Sequence, residues 1–272
     1  MSSDYSGKAE GLNQMLVDYH IHTKASDGIA DMKEYVDEAK RKDIDEIGFS
    51  DHVNFRKNYH VLQPKNTKNY VQNFFEIEEE VDLPIKLGVE IDFFPNETEK
   101  IKKFIQKYPF DYVMGAVHFI GTWGIDHPSQ MHEYLKRDIW RVYEEYFKIV
   151  RELCRSRLFD VLAHVDLIKI FGFKPKCDIS NILIETAEVI AQYDICVEVN
   201  TSGLRKQCME IYPSKQFLKI LQNHDVAITL GSDAHNPQDI GRSFNQAIQL
   251  IKEVGYNHLC TFKSRKRKTE KI

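Results

Sequence analysis

The 272-residue chain lacks most of the features that announce a common chemistry. Its five cysteines (Cys154, Cys177, Cys196, Cys208, Cys260) are odd in number, scattered and never in CxxC spacing. That excludes a thiolate zinc site and a disulfide framework, and fits reduced thiols. No stretch nears the roughly eighteen apolar residues of a membrane span, and the opening MSSDYSGKAEGLNQ has no apolar signal core. A soluble, cytoplasmic protein is expected. Neither sign of charge dominates: 37 basic against 41 acidic residues leave a net charge of −4. No general attraction to nucleic acid or an anionic membrane is therefore expected. GxSxG, P-loop and GxGxxG motifs are all missing, which argues against a serine hydrolase, an NTPase or a dinucleotide enzyme. Ser232 lies too close in sequence to Asp233 and His235 to form a triad without an unusual fold. No low-complexity segment argues for disorder, and 42% hydrophobic residues suffice for a sizeable core.

What the chain does have is histidine in particular places. Residues 18–28 read DYHIHTKASDG, entered by a short apolar run. In an extended segment alternate side chains share a face, so His20 and His22 aim at one point. Asp27 and the turn residue Gly28 could fold a carboxylate back over it. A lone HxH is more often two unrelated polar residues at a strand end, so the remaining chain must decide.

Seven short apolar runs follow one another, at 15–17, 44–49, 85–89, 112–117, 161–163, 195–199 and 226–230. Between and after them the apolar spacing predicts helices over 32–42, 66–81, 97–107, 130–157 (one helix or two), 180–193, 214–224 and 240–254. Asp31 and Ser180 are candidate caps. No break in composition marks a second domain, so 1–272 is expected to be one α/β domain. Residues 1–14 read as a polar arm, and 263–272, with KSRKRK at 263–268, as a solvated basic tail. The alternation predicts parallel βα units closing into a barrel of seven strands. His20, His22, His52, Glu90, His118, His164, Asn200, Arg205, Asp233 and His235 all fall at or just past a strand's C-terminal end. In α/β barrels that rim carries the active site.

Any one of these histidines has a bland explanation as hydrogen-bonded structure. Six of the eleven at corresponding strand ends, with Asp27, Glu90 and Asp233, do not. Nine such donors are enough for more than one ion, and imidazole with carboxylate suits zinc, iron or manganese. Three divalent ions against three carboxylates would leave the pocket about three units positive, which favours an anionic substrate such as a phosphate ester.

The strings HxH with SDG, then SDH, a strand-end Glu, GAVHF, AHVD and GSDAH resemble the polymerase and histidinol phosphatase (PHP) superfamily. The resemblance covers residues 18–242, and EVNTSGLRK, EIYPS and TLGSDAHNPQDIG point to its histidinol-phosphatase branch. It implies a distorted seven-stranded barrel with three divalent ions (Zn, Fe or Mn) at the rim. His20, His22, Glu90 and Asp233 would hold the first, and Glu90, His118 and His164 the second. The third would take His52, His235 and Asp27, which substitutes for a histidine that many members carry one position later, where this chain has Gly28. The implied reaction is hydrolysis of L-histidinol phosphate, in histidine biosynthesis, by a metal-bridging hydroxide held at the Glu90 and Asp233 sites. Arg205 would clamp the phosphate, with Lys169 as a further cationic contact. Trp123, Asp126, His127 and Asn200 are candidates for contacting the rest of the substrate. Two alternatives remain open: a phosphoesterase for a nucleotide or oligonucleotide, against which the lack of a basic groove counts, and a non-catalytic metal-binding module, against which the nine filled positions count.

Overall fold

Parallel pairing between short strands organises the chain. The computed structural model describes residues 15–56 and 66–272, so the polar arm expected over 1–14 lies outside the described residues. The first half runs β1 (Val17–Asp18), α1 (Met32–Arg41), β2 (Glu46–Phe49), β3 (His52–Val53), α2 (Thr67–Glu80), β4 (Ile85–Leu87), β5 (Glu90–Asp92), α3 (Thr98–Ile105) and β6 (Met114–Ala116). A small hairpin, β7 (Phe119–Ile120) and β8 (Trp123–Gly124), leads to α4 (Ile139–Ser156). Then come β9 (Val161–Leu162), α5 (Ser180–Gln192), β10 (Cys196–Asn200), α6 (Lys215–Asn223), β11 (Ile228–Gly231), α7 (Phe244–Val254), β12 (His258–Lys263) and β13 (Lys266–Lys271).

Two parallel sheets result, ordered β1–β2–β4 and β11–β10–β9–β6–β5–β3. Gly88 N donates to Phe49 O at 2.8 Å, carrying pairing from one sheet to the other, and Tyr19 N donates to Leu230 O at 3.1 Å, bringing β11 beside the first strand. The strands are buried on both faces, as parallel strands covered by helices must be, which is why they read as apolar runs and not as alternations. Each helix lays an apolar stripe on them; α4 buries Val142, Tyr146, Phe147, Val150 and Leu153. The expected α/β class holds.

Three boundaries differ from expectation, each for a local reason. The predicted helix over 130–157 is a 3₁₀ stretch, Pro128–Lys136, and then α4, because Asp138 caps the backbone N–H groups of Trp140 and Arg141. Residues 240–243 do not join α7: Gly241 sits at φ 61°, and its N–H is taken by Asp18 Oδ2 at 3.0 Å. Ser180 is the first residue of α5, not its cap.

The basic tail is the larger correction. Residues 258–271 form an antiparallel hairpin whose inner residues Leu259, Cys260 and Phe262 are buried. Phe262 packs edge-on against Tyr19 at 5.7 Å and lies 6.0 Å from Tyr112, and the Tyr112 hydroxyl donates to Tyr19 O at 2.7 Å. Arg265 closes on Asp160 with two hydrogen bonds of 2.7 and 3.0 Å. Lys266 and Lys268 of the KSRKRK string lie on the hairpin's exposed strand, where charge discourages edge-to-edge pairing. Phe262→Ala should therefore lower stability by about 3–5 kcal/mol in urea unfolding. A change under about 0.5 kcal/mol, the level of an ordinary surface substitution, would show that the hairpin is not docked on the core.

Candidate metal centre

Register explains how the donors converge. Ile21 pairs with Ala234 in a parallel bridge, and both are fully buried. Their neighbours on each side point to the opposite face, so His20, His22, Asp233 and His235 share it. Across the sheet, His52 stands directly beside Glu90. Two ligand positions carry strain: Asp233 has φ 55° and His164 φ 25°, in the sparsely populated left-handed region.

Glu90, with no exposed surface, is the meeting point. Its Oε2 lies 3.3 Å from His20 Nε2, 3.7 Å from His22 Nε2 and 2.7 Å from His52 Nδ1, and its Oε1 lies 2.9 Å from His164 Nε2 and 3.8 Å from His118 Nε2. Asp233 Oδ1 is 3.3 Å from His22 Nε2 and 3.7 Å from His20 Nε2. Asp27 Oδ2 is 3.2 Å from His235 Nε2 and 3.8 Å from His52 Nε2. The His22 ring stacks between those of His52 and His235, at 4.2 and 4.3 Å. All nine expected donors therefore come together.

Whether this cluster fits metal is decided by what its atoms do not do. Among the described residues, His20 Nε2, both ring nitrogens of His22, Glu90 Oε2 and His164 Nδ1 are buried without a hydrogen bond. Such orphans are costly in a finished protein core. Two ligands each about 2.0–2.1 Å from one ion stand roughly 3.0–3.4 Å apart, and the closest of the His20, His22, Glu90 and Asp233 separations match that spacing. The donors fit divalent ions.

The chain's similarity to known proteins agrees. The PHP domain family matches residues 18–202. The chain belongs to the PHP domain family. This PHP protein is 30% identical to the protein named probable histidinol-phosphatase of Deinococcus radiodurans, over 92% of its own length and 98% of the relative's. It is 24% identical to the histidinol-phosphatase of Bacillus subtilis, over 85% of this chain and 98% of that one. In structure it is similar to the histidinol phosphate phosphatase of Lactococcus lactis, solved in complex with zinc, L-histidinol and phosphate. That comparison has a TM-score of 0.79 at 25% identity and covers 93% of this chain and 98% of the other.

Several residues that hold the PHP centre in place were not among the expected site residues, although Asp51 and Glu198 lie within the SDH and EVNTSGLRK strings. Glu198, fully buried on β10, bonds His20 Nδ1 and the His164 backbone N–H, each at 2.7 Å. Asp92 bonds His118 Nδ1, and Asn54 Nδ2 donates to Asp92 at 2.6 Å. Asp51 gathers Thr23 N, Thr23 Oγ1, Ser26 N and Ser26 Oγ at 2.7–3.1 Å, which curls the first loop and returns Asp27 to the cluster. Gly28 permits that curl, since a Cβ there would lie 2.0 Å from the His22 carbonyl oxygen. A histidine at 28 has no room on this backbone, which leaves Asp27 as the loop's donor. Alternation alone could have flagged Glu198, an acidic residue inside an apolar run.

Of the expected substrate contacts, Arg205 is placed best. Its Nη2 donates to Ser232 O at 2.8 Å, next to Asp233, while its Nη1 is buried without a partner among the described residues. Asn200, fully buried, accepts from Ser202 N through Oδ1 and leaves Nδ2 unpartnered there. Lys169 is engaged away from its expected role: its ammonium donates to Asp166 and Ile211 O, each at 2.8 Å, and lies 3.3 Å from Glu210. Trp123 is buried against Tyr134 at 4.7 Å with its N–H on Gln130 O, which is local packing. His127 is exposed and bonded to Ser129. Asp126, half-buried, follows Ile125, whose N–H bonds His118 O at 2.9 Å.

Without ions, the centre traps protons. Burial opposes charge on His52, but Glu90 and Asp27 outweigh it and raise its pKa to about 9. Burial likewise opposes charge on His118, and Asp92 and Asp126 raise it to about 10. His22 is the exception: burial, then His52 and His235, lower it to about 3, so it is neutral and ready to ligate. An incoming ion must displace protons from histidines whose pKa lies above neutrality, so ion affinity should rise with pH between 6 and 8. Competition with a chromogenic chelator should show about a tenfold gain per pH unit for each proton displaced. Affinity independent of pH would contradict protonated ligands in the free centre.

Proposed function

We propose that this chain is a metal-dependent phosphomonoesterase that hydrolyses L-histidinol phosphate to L-histidinol and phosphate, a step of histidine biosynthesis, in the cytoplasm. The observation that carries the reading is full-length similarity, in sequence and fold, to an enzyme seen with zinc, L-histidinol and phosphate, joined to nine converging donors here. We read the paired strands as a distorted seven-stranded barrel, with β2 and β3 one strand and β4 and β5 another. The return of β11 to the first strand supports closure.

In this reading His20, His22, Glu90 and Asp233 hold one divalent ion, and Glu90, His118 and His164 a second. Asp27, His52 and His235 hold a third. Ions in those places supply hydroxide at neutral pH and Lewis acidity toward the phosphoryl oxygens. Water adds to phosphorus, the bond from phosphorus to the histidinol oxygen breaks, and the alcohol leaves with a proton. Arg205 holds the phosphate with its free Nη1 while Ser232 O fixes the guanidinium plane. Asn200 offers Nδ2 on the same side of β10. Asp126 stands beside His118 with a carboxylate available to the substrate's ammonium. Ser202 Oγ donates to Asp233 Oδ2 at 3.0 Å and sets which oxygen faces the ions.

Steady-state hydrolysis by metal-replete protein should favour L-histidinol phosphate over nucleoside monophosphates; equal or better turnover of a nucleotide would sink the assignment. Asp233→Asn should lose more than the roughly 10- to 100-fold that an outer-shell partner costs, and near-normal turnover would remove Asp233 from the ligand set. Arg205→Ala should cost about 10- to 100-fold in kcat/KM, chiefly through KM, the loss expected for a charged hydrogen bond of about 1.5–3 kcal/mol.

A further inference from the structure

Glu198 serves two ligand residues with one carboxylate. Its Oε1 receives His20 Nδ1, and its Oε2 receives the backbone N–H of His164, both at 2.7 Å. The side chain has no exposed surface. Gly231 closes the slot behind it: a Cβ at that position would fall 1.9 Å from Glu198 Oε1 and 2.7 Å from His20 Cβ. The carboxylate is a rigid plane in a slot without slack, so movement of one oxygen carries the other. His20 and His164 meet again at the front, on the two oxygens of Glu90, at 3.3 and 2.9 Å.

We propose that Glu198 is a positioning residue that ties two of the metal sites together, so that the pair of divalent ions at Glu90 binds and leaves as a unit while the third ion exchanges independently. This rests on the reading of the cluster as a metal centre. For His20 Nε2 to face an ion, its proton must sit on Nδ1, and Glu198 Oε1 accepts it. The same carboxylate fixes the backbone of His164 at its strained φ of 25°, and so the direction of that ring. An ion that orders His20 thereby orders the ligand of the next ion, and by linkage the reverse holds. Among the described residues Glu198 bonds no member of the third group, whose link to the pair is the 2.7 Å contact of Glu90 with His52. Asp27 and His235 are 36% and 38% exposed, and Glu198 bonds neither of them.

The test is chelator extraction of Co²⁺-loaded protein, followed by visible absorption and by the ion-to-protein ratio after desalting. Wild-type protein should release one ion at low chelator concentration and then two together. In Glu198→Gln two N–H donors meet a single carbonyl oxygen, and both ions of the pair should leave at about 10- to 100-fold lower chelator concentration, with the first release unmoved. Loss of affinity at one ion only, or at none, overturns the proposal. Glu198→Asp keeps the charge but spans only one of the two partners, so it should split the joint release into two. A joint release at the wild-type position overturns the proposal even if the Gln variant does not fold. Wild-type protein that retains no Co²⁺ at all overturns instead the metal-centre reading on which the proposal rests.

Discussion

A buried carboxylate with five imidazoles around it is the constraint on which the centre depends. Glu90 lies within 4 Å of His20, His22, His52, His118 and His164, and none of its surface reaches solvent. An unpaired charge there would cost several kcal/mol, so the surrounding strands are tolerable only with positive charge at the middle, whether protons or metal ions. Burial works against ionising Glu90, yet His52 and His20 hold its pKa well below the usual range. Two of the positive-φ non-glycine residues among the described residues, His164 and Asp233, also lie here.

Around that middle lies a ring of acidic residues that act on the histidines from behind. Glu198 and Asp92 are not ligands in the proposed assignment, but each fixes the ring of one. They also change the electrostatics expected from the donors alone. Three divalent ions, as proposed, against Asp27, Glu90 and Asp233 would leave an excess of about three positive units, and the two further buried carboxylates would cancel most of it. In the proposed reaction Arg205 would then be a principal part of the attraction for phosphate, a role that its buried Nη1, without a partner among the described residues, leaves open to it.

Much of this was legible because the donors are punctuation. All but Asp27 stand where an apolar run gives way to polar residues, a change of composition that is visible in the sequence. The hairpin at 258–271 was not legible. Its turn, Ser264–Arg265, takes left-handed φ at both positions, 49° and 60°, with none of the Asn-Gly signal such turns prefer. Asp111 and Asp160, remote in sequence, hold it instead. Lys169 and Trp123 misled for a related reason: a cation or an aromatic after a strand end has the right address, but its partners, Glu210 and Tyr134, are set by neighbouring loops.

For the opening stretch, residues 18–28, sequence by itself determined that two imidazoles share a face, since alternation in an extended chain allows nothing else. It determined the donor types, and with them a hard or borderline divalent ion. Only the tertiary structure decided which donors stand next to one another, because that depends on register between strands far apart in the chain: His52 beside Glu90, and Ile21 beside Ala234. It also decided that Gly28 cannot carry a side chain and that Asp27 takes the place, because the backbone of His22 fills the space where a Cβ would go.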